Sequence, residues 1–124
     1  MIVDSNILNY ACSGNHPELI TLVGQRGLAA SILTWIEVFS ARSLEPESEA
    51  ALEQLFQGMD VVDVTPPVAE LAARSRRRVR IKTPDAVIAA TAIELGLALL
   101  TRNTKDFVHI DQLVVVNPFE EPEA

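Results

Sequence analysis

The sequence predicts an α/β fold: one domain with a short, mostly parallel central sheet flanked by helices on both faces. Three observations lead there. Short apolar runs alternate with longer helical stretches along the whole chain, the pattern of strands joined by crossover helices. The 124 residues are 48% hydrophobic but only 5% aromatic, enough for one compact aliphatic core. No repeat, linker or low-complexity stretch divides the chain, so the domain is expected over residues 1–118, with an acidic tail at 119–124.

The first run, Met1-Ile2-Val3, stops at Asp4 and is followed by Ser5 and Asn6, which reads as strand, turn and helix to about Ala11. Pro17 to Gln25 reads as a helix closed by Gly27, and Leu28 to Ile32 as a second strand. Thr34-Trp35-Ile36-Glu37 matches a capping box, in which Glu37 reaches back to the Thr34 amide. Pro46 to Gln57 separates Glu47, Glu49 and Glu53 from Leu52, Leu55 and Phe56, as an amphipathic surface helix does. Val61, Val62 and Val64 suggest a third strand before the Pro66-Pro67 break, and a helix from Pro67 runs into a basic cluster. Thr83-Pro84-Asp85 is a strong helix start, with a capping hydroxyl, a proline and an acid in the first turn. The helix it opens is small and apolar nearly all round, the mark of a buried central helix, and Gly96 ends it. Ala98 to Thr101 and Val114 to Val116 complete the strands.

The net charge is −7, which argues against a general nucleic-acid binder, because phosphate contacts need clustered cations. Six of the ten Lys and Arg residues nevertheless lie between Arg74 and Lys82. That cluster reads either as a helix carboxyl end with favourable cations or as a phosphate-facing patch leading to Asp85. Cys12 is the only cysteine, which excludes a disulfide framework and a cysteine zinc site. No apolar stretch is long enough to span a bilayer and no signal peptide is visible, so a cytoplasmic, membrane-free protein is expected. His16 lacks a second histidine at ligand spacing, and His109 reads as a surface or pocket-rim residue rather than a general base.

Four acids occupy comparable places: Asp4 at a strand end, Glu37 and Asp85 in first helical turns, and Asp106 just past a strand. Each has a local explanation; Asp4, for one, could simply cap the next helix. Together they would place several carboxylates at the carboxyl rim of one sheet, where open α/β sheets bind ligands. Carboxylates so placed repel unless protonated or neutralised by a cation. Oxygen donors suit a hard ion, Mg²⁺ or Mn²⁺ rather than zinc, and such an ion serves phosphodiester hydrolysis.

Four motifs, D-S-N at Asp4, T-W-I-E-V at Glu37, T-P-D-A-V-I-A-A-T-A at Asp85 and L-L-T-R-N-T-K-D-F at Asp106, resemble those of a PIN domain. The chain more narrowly resembles the VapC-type toxins of toxin–antitoxin pairs, from Met1 to about Pro118. The resemblance implies a metal-dependent endoribonuclease, usually a homodimer, restrained by a small antitoxin. Asp4 and Asp85 match the acids that hold the metal, and Glu37 and Asp106 the second and fourth acids of the quartet. Ser5 and Asn6 match small polar residues that shape the site. Some relatives carry an acid where Asn103 stands, so this metal site is less negative than theirs. Backbone contacts to RNA are expected from residues of the 74–82 cluster with Arg102 and Lys105. Two competing readings are a PIN-like fold that binds RNA or protein without cleaving, and a metal phosphodiesterase for small substrates.

Overall fold

The computed structural model describes residues 1–13, 17–25 and 27–119. His16 and the acidic residues 120–124 fall outside the described residues. Five strands, β1 (Ile2–Val3), β2 (Ala29–Ser31), β3 (Asp60–Val62), β4 (Leu99–Leu100) and β5 (Val115–Val116), form one sheet in the order β3-β2-β1-β4-β5. Every neighbouring pair is parallel. Six helices, α1 (Ser5–Cys12), α2 (Pro17–Gln25), α3 (Ile32–Phe39), α4 (Pro46–Gln57), α5 (Pro66–Arg78) and α6 (Thr83–Leu95), connect them, and Thr104–Phe107 forms a 3-10 turn.

Alternate residues along each strand serve opposite faces of the sheet. Ile2, Ala29 and Leu99 pack with Val68, Ala72 and the α6 residues on one face. Val3, Ala30 and Leu100 pack with Ile7, Leu8, Val23, Leu52 and Phe56 on the other. Both faces are therefore covered, which is why the strands read as continuous apolar runs rather than as alternating ones. Helix α6 is buried from Ala86 to Ala92, as its small apolar composition requires, and Thr91 satisfies its hydroxyl on the Val87 carbonyl at 2.7 Å. Gly96 closes the helix in the left-handed region at φ 66, with Leu97 N–H reaching back to the Ala92 carbonyl at 2.9 Å.

Two helix starts differ from the sequence reading. Helix α3 begins at Ile32, capped by Ser31, whose hydroxyl accepts from the Leu33 amide at 3.1 Å. Thr34 is thus already inside the helix, and the expected Thr34–Glu37 capping box does not form; a stronger cap lay three residues upstream. Helix α6 takes Thr83 as its first residue, with Lys82 at the cap position and no side-chain cap hydrogen bond. At α5 the cap is Thr65, whose hydroxyl accepts from the Val68 amide at 3.4 Å.

Candidate active site

The sheet order puts β1 in the middle, with the chain winding to β2 and β3 on one side and crossing to β4 and β5 on the other. The carboxyl ends of β1 and β4 therefore flank the point where the winding reverses, the crevice in which such sheets bind ligands. Ile2 pairs with Leu99 and Val3 with Leu100, so the next residues in register are Asp4 and Thr101.

Asp4 is 4% exposed and Thr101 is fully buried. Asp4 occupies the cap position of α1, but its side chain makes no cap hydrogen bond. The carboxylate turns instead to Thr101, whose Oγ1 donates to Asp4 Oδ2 at 2.7 Å. The Asn103 amide donates to Thr101 Oγ1 at 3.1 Å, so a relay of amide, hydroxyl and carboxylate fixes Asp4. Ser5 Oγ adds only a long contact of 3.4 Å to the other carboxylate oxygen. Asp4 therefore keeps acceptor capacity directed away from Thr101.

Glu37 and Asp85 feel its charge, and Asp106 in turn acts on Asp85. Partial burial pushes the Glu37 carboxyl above its ordinary range, and the charges of Asp4 and Asp85 push it further. Asp85 is also raised, by burial first and then by Asp4 and Asp106, while Lys82 pulls the other way. Asp4 acts on both neighbours and Asp85 is felt by Glu37, so residues from β1, α3, α6 and the 3-10 turn meet at one edge. Glu37 sits in the second turn of α3, not the first, and reaches this edge from the helix side. Asp4 and Asp85 are the buried and half-buried members, whereas Glu37 and Asp106 stand at the exposed rim.

That Glu37 and Asp85 are both raised by neighbouring acids marks an edge short of positive charge, and its all-oxygen chemistry fits a hard divalent cation. Among the described residues no group of three carboxylate, imidazole or thiol side chains stands close enough to cage a metal ion alone. The arrangement suits an ion that keeps several waters and takes one or two protein carboxylates, the habit of Mg²⁺.

A cleft of about 420 Å³ opens beside the acids, with Asp85 and Asp106 on one wall and Arg76, Arg80, Lys82 and Lys105 around it. Among the described residues Arg80, Lys82 and Lys105 form no salt bridge, whereas Arg74 is tied to Glu70 at 2.7 Å and Arg76 Nε donates to the Ile81 carbonyl at 3.0 Å. His109 lines the same cleft, as a rim residue. Arg102, expected to face RNA, instead lies over the rings of Phe119 and Tyr10, at 4.4 and 5.1 Å from their centroids. Cation–π contact uses this arginine to fasten residue 119 to α1.

Sequence reasoning missed Thr101 as a site residue. Its only signal was a hydroxyl at a strand's carboxyl end, and its role follows from β4 lying beside β1. Thr34 is a second surprise: fully buried one turn before Glu37, its hydroxyl has no hydrogen-bond partner among the described residues.

A doubly wound parallel sheet with acidic side chains near its reversal point defines the class: a single α/β domain whose carboxyl edge is acidic. The chain belongs to the PIN domain family, which matches residues 1–113. It is similar in structure to a toxin–antitoxin complex from Klebsiella pneumoniae, with 30% identity, a TM-score of 0.78, and coverage of 97% of this chain and 98% of that one. VapBC2 from Rickettsia felis, bound to a promoter DNA fragment, shares the fold at 20% identity and TM-score 0.74, covering 94% and 96%. FitAcB from Neisseria gonorrhoeae shares it at 20% identity and TM-score 0.78, covering 97% and 99%. No curated protein matches the chain in sequence.

Proposed function

We propose that this chain is the toxin of a VapC-type toxin–antitoxin pair and acts as a Mg²⁺-dependent endoribonuclease. The observation that carries the reading is the meeting of two opposite features: the acid quartet and the cleft whose cations Arg80, Lys82 and Lys105 form no salt bridge among the described residues. An acidic protein that concentrates such cations beside a carboxylate cluster is arranged for a phosphodiester, with phosphates along the cations and the reacting bond at the acids.

In this reading Asp4 and Asp85 hold the ion, with Mn²⁺ a workable substitute. The ion supplies charge stabilisation at the phosphoryl oxygens and a lowered pKa for water. Thr101 keeps Asp4 aimed by donating to its carboxylate. Glu37 and Asp106, at the rim, orient the attacking water and take up its proton. The raised pKa of Glu37 makes it a stronger proton acceptor than an ordinary carboxylate. Ser5, Asn6 and Asn103 shape the wall around Asp4. In-line attack on phosphorus leaves a 5′-phosphate and a 3′-hydroxyl. A cognate antitoxin and a second copy of the chain are the expected protein partners, and the cytoplasm the expected location; among the described residues no helix is long and apolar enough to cross a membrane.

The test is incubation of the antitoxin-free protein with RNA in EDTA, then with Mg²⁺ or Mn²⁺, beside an Asp4→Asn, Asp85→Asn double variant. Metal-restored cleavage that the variant lacks supports the proposal. RNA binding without cleavage in any metal favours a non-catalytic module, and hydrolysis confined to small phosphodiesters favours the third reading.

A further inference from the structure

A second cleft, of about 340 Å³, adjoins the first and shares Val79, His109 and Ile110 with it. Its chemistry differs. The first cleft carries Arg76, Arg80, Lys82 and Lys105 with Asp85 and Asp106; the second has an apolar floor that includes Leu71, Val79, Ile93 and Ile110. Its polar rim is mixed: Arg78, His109, Asp111 and Gln112. Arg74 also lines it but is engaged with Glu70. The second cleft sets an apolar floor beside a mixed rim, and with Arg74 held by Glu70 it offers a phosphate fewer cations than the first. A flat, apolar ring with donors and acceptors on its margin fits both features.

Gln112 sharpens the reading. It is the one non-glycine residue with positive φ among the described residues, at 67. Glutamine has no special tolerance for the left-handed region, and a side chain held there at a cleft edge is an outlier that points to use. Its amide carries donors and an acceptor together, the complement of a base edge, and His109 beside it offers a ring for stacking. The volumes of both clefts fall in the range of small-ligand pockets, roughly 300–1,000 Å³, which admits a splayed nucleotide and not a duplex.

We propose that the second cleft is a nucleobase subsite for single-stranded RNA and that Gln112 reads the base it takes. The proposal rests on the nuclease reading for its substrate: a strand whose reacting phosphate lies at the acids passes along the first cleft and turns a base into the second. Gln112 is then a specificity-determining residue, and the nucleotide it selects lies at a fixed offset from the cut.

The experiment compares wild type, Gln112→Ala and Gln112→Gly on a randomised single-stranded RNA pool, with the new ends sequenced and folding checked by circular dichroism. The glycine variant tolerates the positive φ and so keeps the test open if the alanine variant folds poorly. Expected is one base enriched at one offset in wild type, and an enrichment lowered about ten-fold in both variants. Enrichment unchanged in both variants, or wild-type cuts with no preference at any offset, overturns the subsite. A second arm uses Asp85→Asn protein, with and without Gln112→Gly, and four fluorescent homo-oligonucleotides read by anisotropy. A base preference in binding that vanishes with Gln112 supports the subsite even if nothing is cleaved, and a preference indifferent to Gln112 overturns it. Absence of cleavage by wild type counts against the nuclease reading alone.

Discussion

Thr101 donates a 2.7 Å hydrogen bond to Asp4 across 97 positions of sequence, inside a site where Asp4 is almost wholly buried. A buried carboxylate is tolerable only when its lone pairs are met, and this hydroxyl is the short, well-placed donor. Thr101→Val keeps the shape and removes that donor, leaving a buried charge underserved. The expected loss is about 1.5–3 kcal/mol of stability, typical of hydrogen bonds to charged groups. Urea unfolding in EDTA reads it, and an unchanged midpoint would mean that Asp4 is held by other means.

The raised pKa values of Glu37 and Asp85 make the metal-free protein sensitive to pH in a definite direction. Folding lifts both carboxyls above their unfolded values, about 3.9 for Asp and 4.3 for Glu, so the folded state prefers them protonated. Their contribution is fully present below the unfolded values and is lost as pH rises through the raised folded ones. In EDTA, melting temperature should therefore be higher with Asp85→Asn than with wild type at pH 7, and the gap should close towards pH 4. Adding Mg²⁺ or Mn²⁺ should raise the melting temperature of wild type and not of the variant. Equal metal stabilisation of both proteins would remove Asp85 from the ion's site.

The basic cluster divides into members that face the cleft and members that do not. Arg80 and Lys105 line the cleft beside the acids, whereas Arg77 lines neither cleft. Arg80→Gln and Lys105→Gln should each weaken single-stranded RNA binding and flatten its logarithmic salt dependence by about 0.7. Arg77→Gln should change the slope much less. Slopes measured between low and moderate salt with an inactive Asp85→Asn background decide the matter. Three equal effects would favour a diffuse field over a track.

Thr34 is buried with a hydroxyl unpartnered among the described residues, a costly arrangement in an otherwise satisfied core. Thr34→Val removes the hydroxyl at nearly constant shape, and the metal-free protein should gain about 1 kcal/mol in chemical unfolding. A loss of similar size would reveal a partner for this oxygen within the fold.

Much of this was readable beforehand, and the exceptions share a cause. The elements were legible because each carries a local sign: the Pro84-Asp85 start, the Gly96 stop, the valine runs. The candidate acids stood out in the sequence because Asp4 and Asp106 follow strands and Asp85 opens a helix. Glu37 had a convincing local alternative in the Thr34 capping box, which failed because Ser31 starts the helix one turn earlier. Thr101 and Arg102 were not legible in the same way. Their partners, Asp4 for one and Tyr10 with Phe119 for the other, are set by which strand lies beside which, and local sequence carries no record of that order. Gln112 gave no signal either, since glutamine is an ordinary residue and only its backbone angle sets it apart.

The central place of β1 has a consequence for how the protein comes into being on the ribosome. Strand β1 acquires its β4 neighbour only after residue 100 has been made, and the Asp4 carboxylate can meet Thr101 only then. Until then one side of β1 is an unpaired apolar edge, and a nascent chain is prone to stick to its neighbours. No product that stops before Thr101 can form the Asp4–Thr101 hydrogen bond. Asp4 thus waits for β4 before its hydroxyl partner exists, a delay written into the order of the strands.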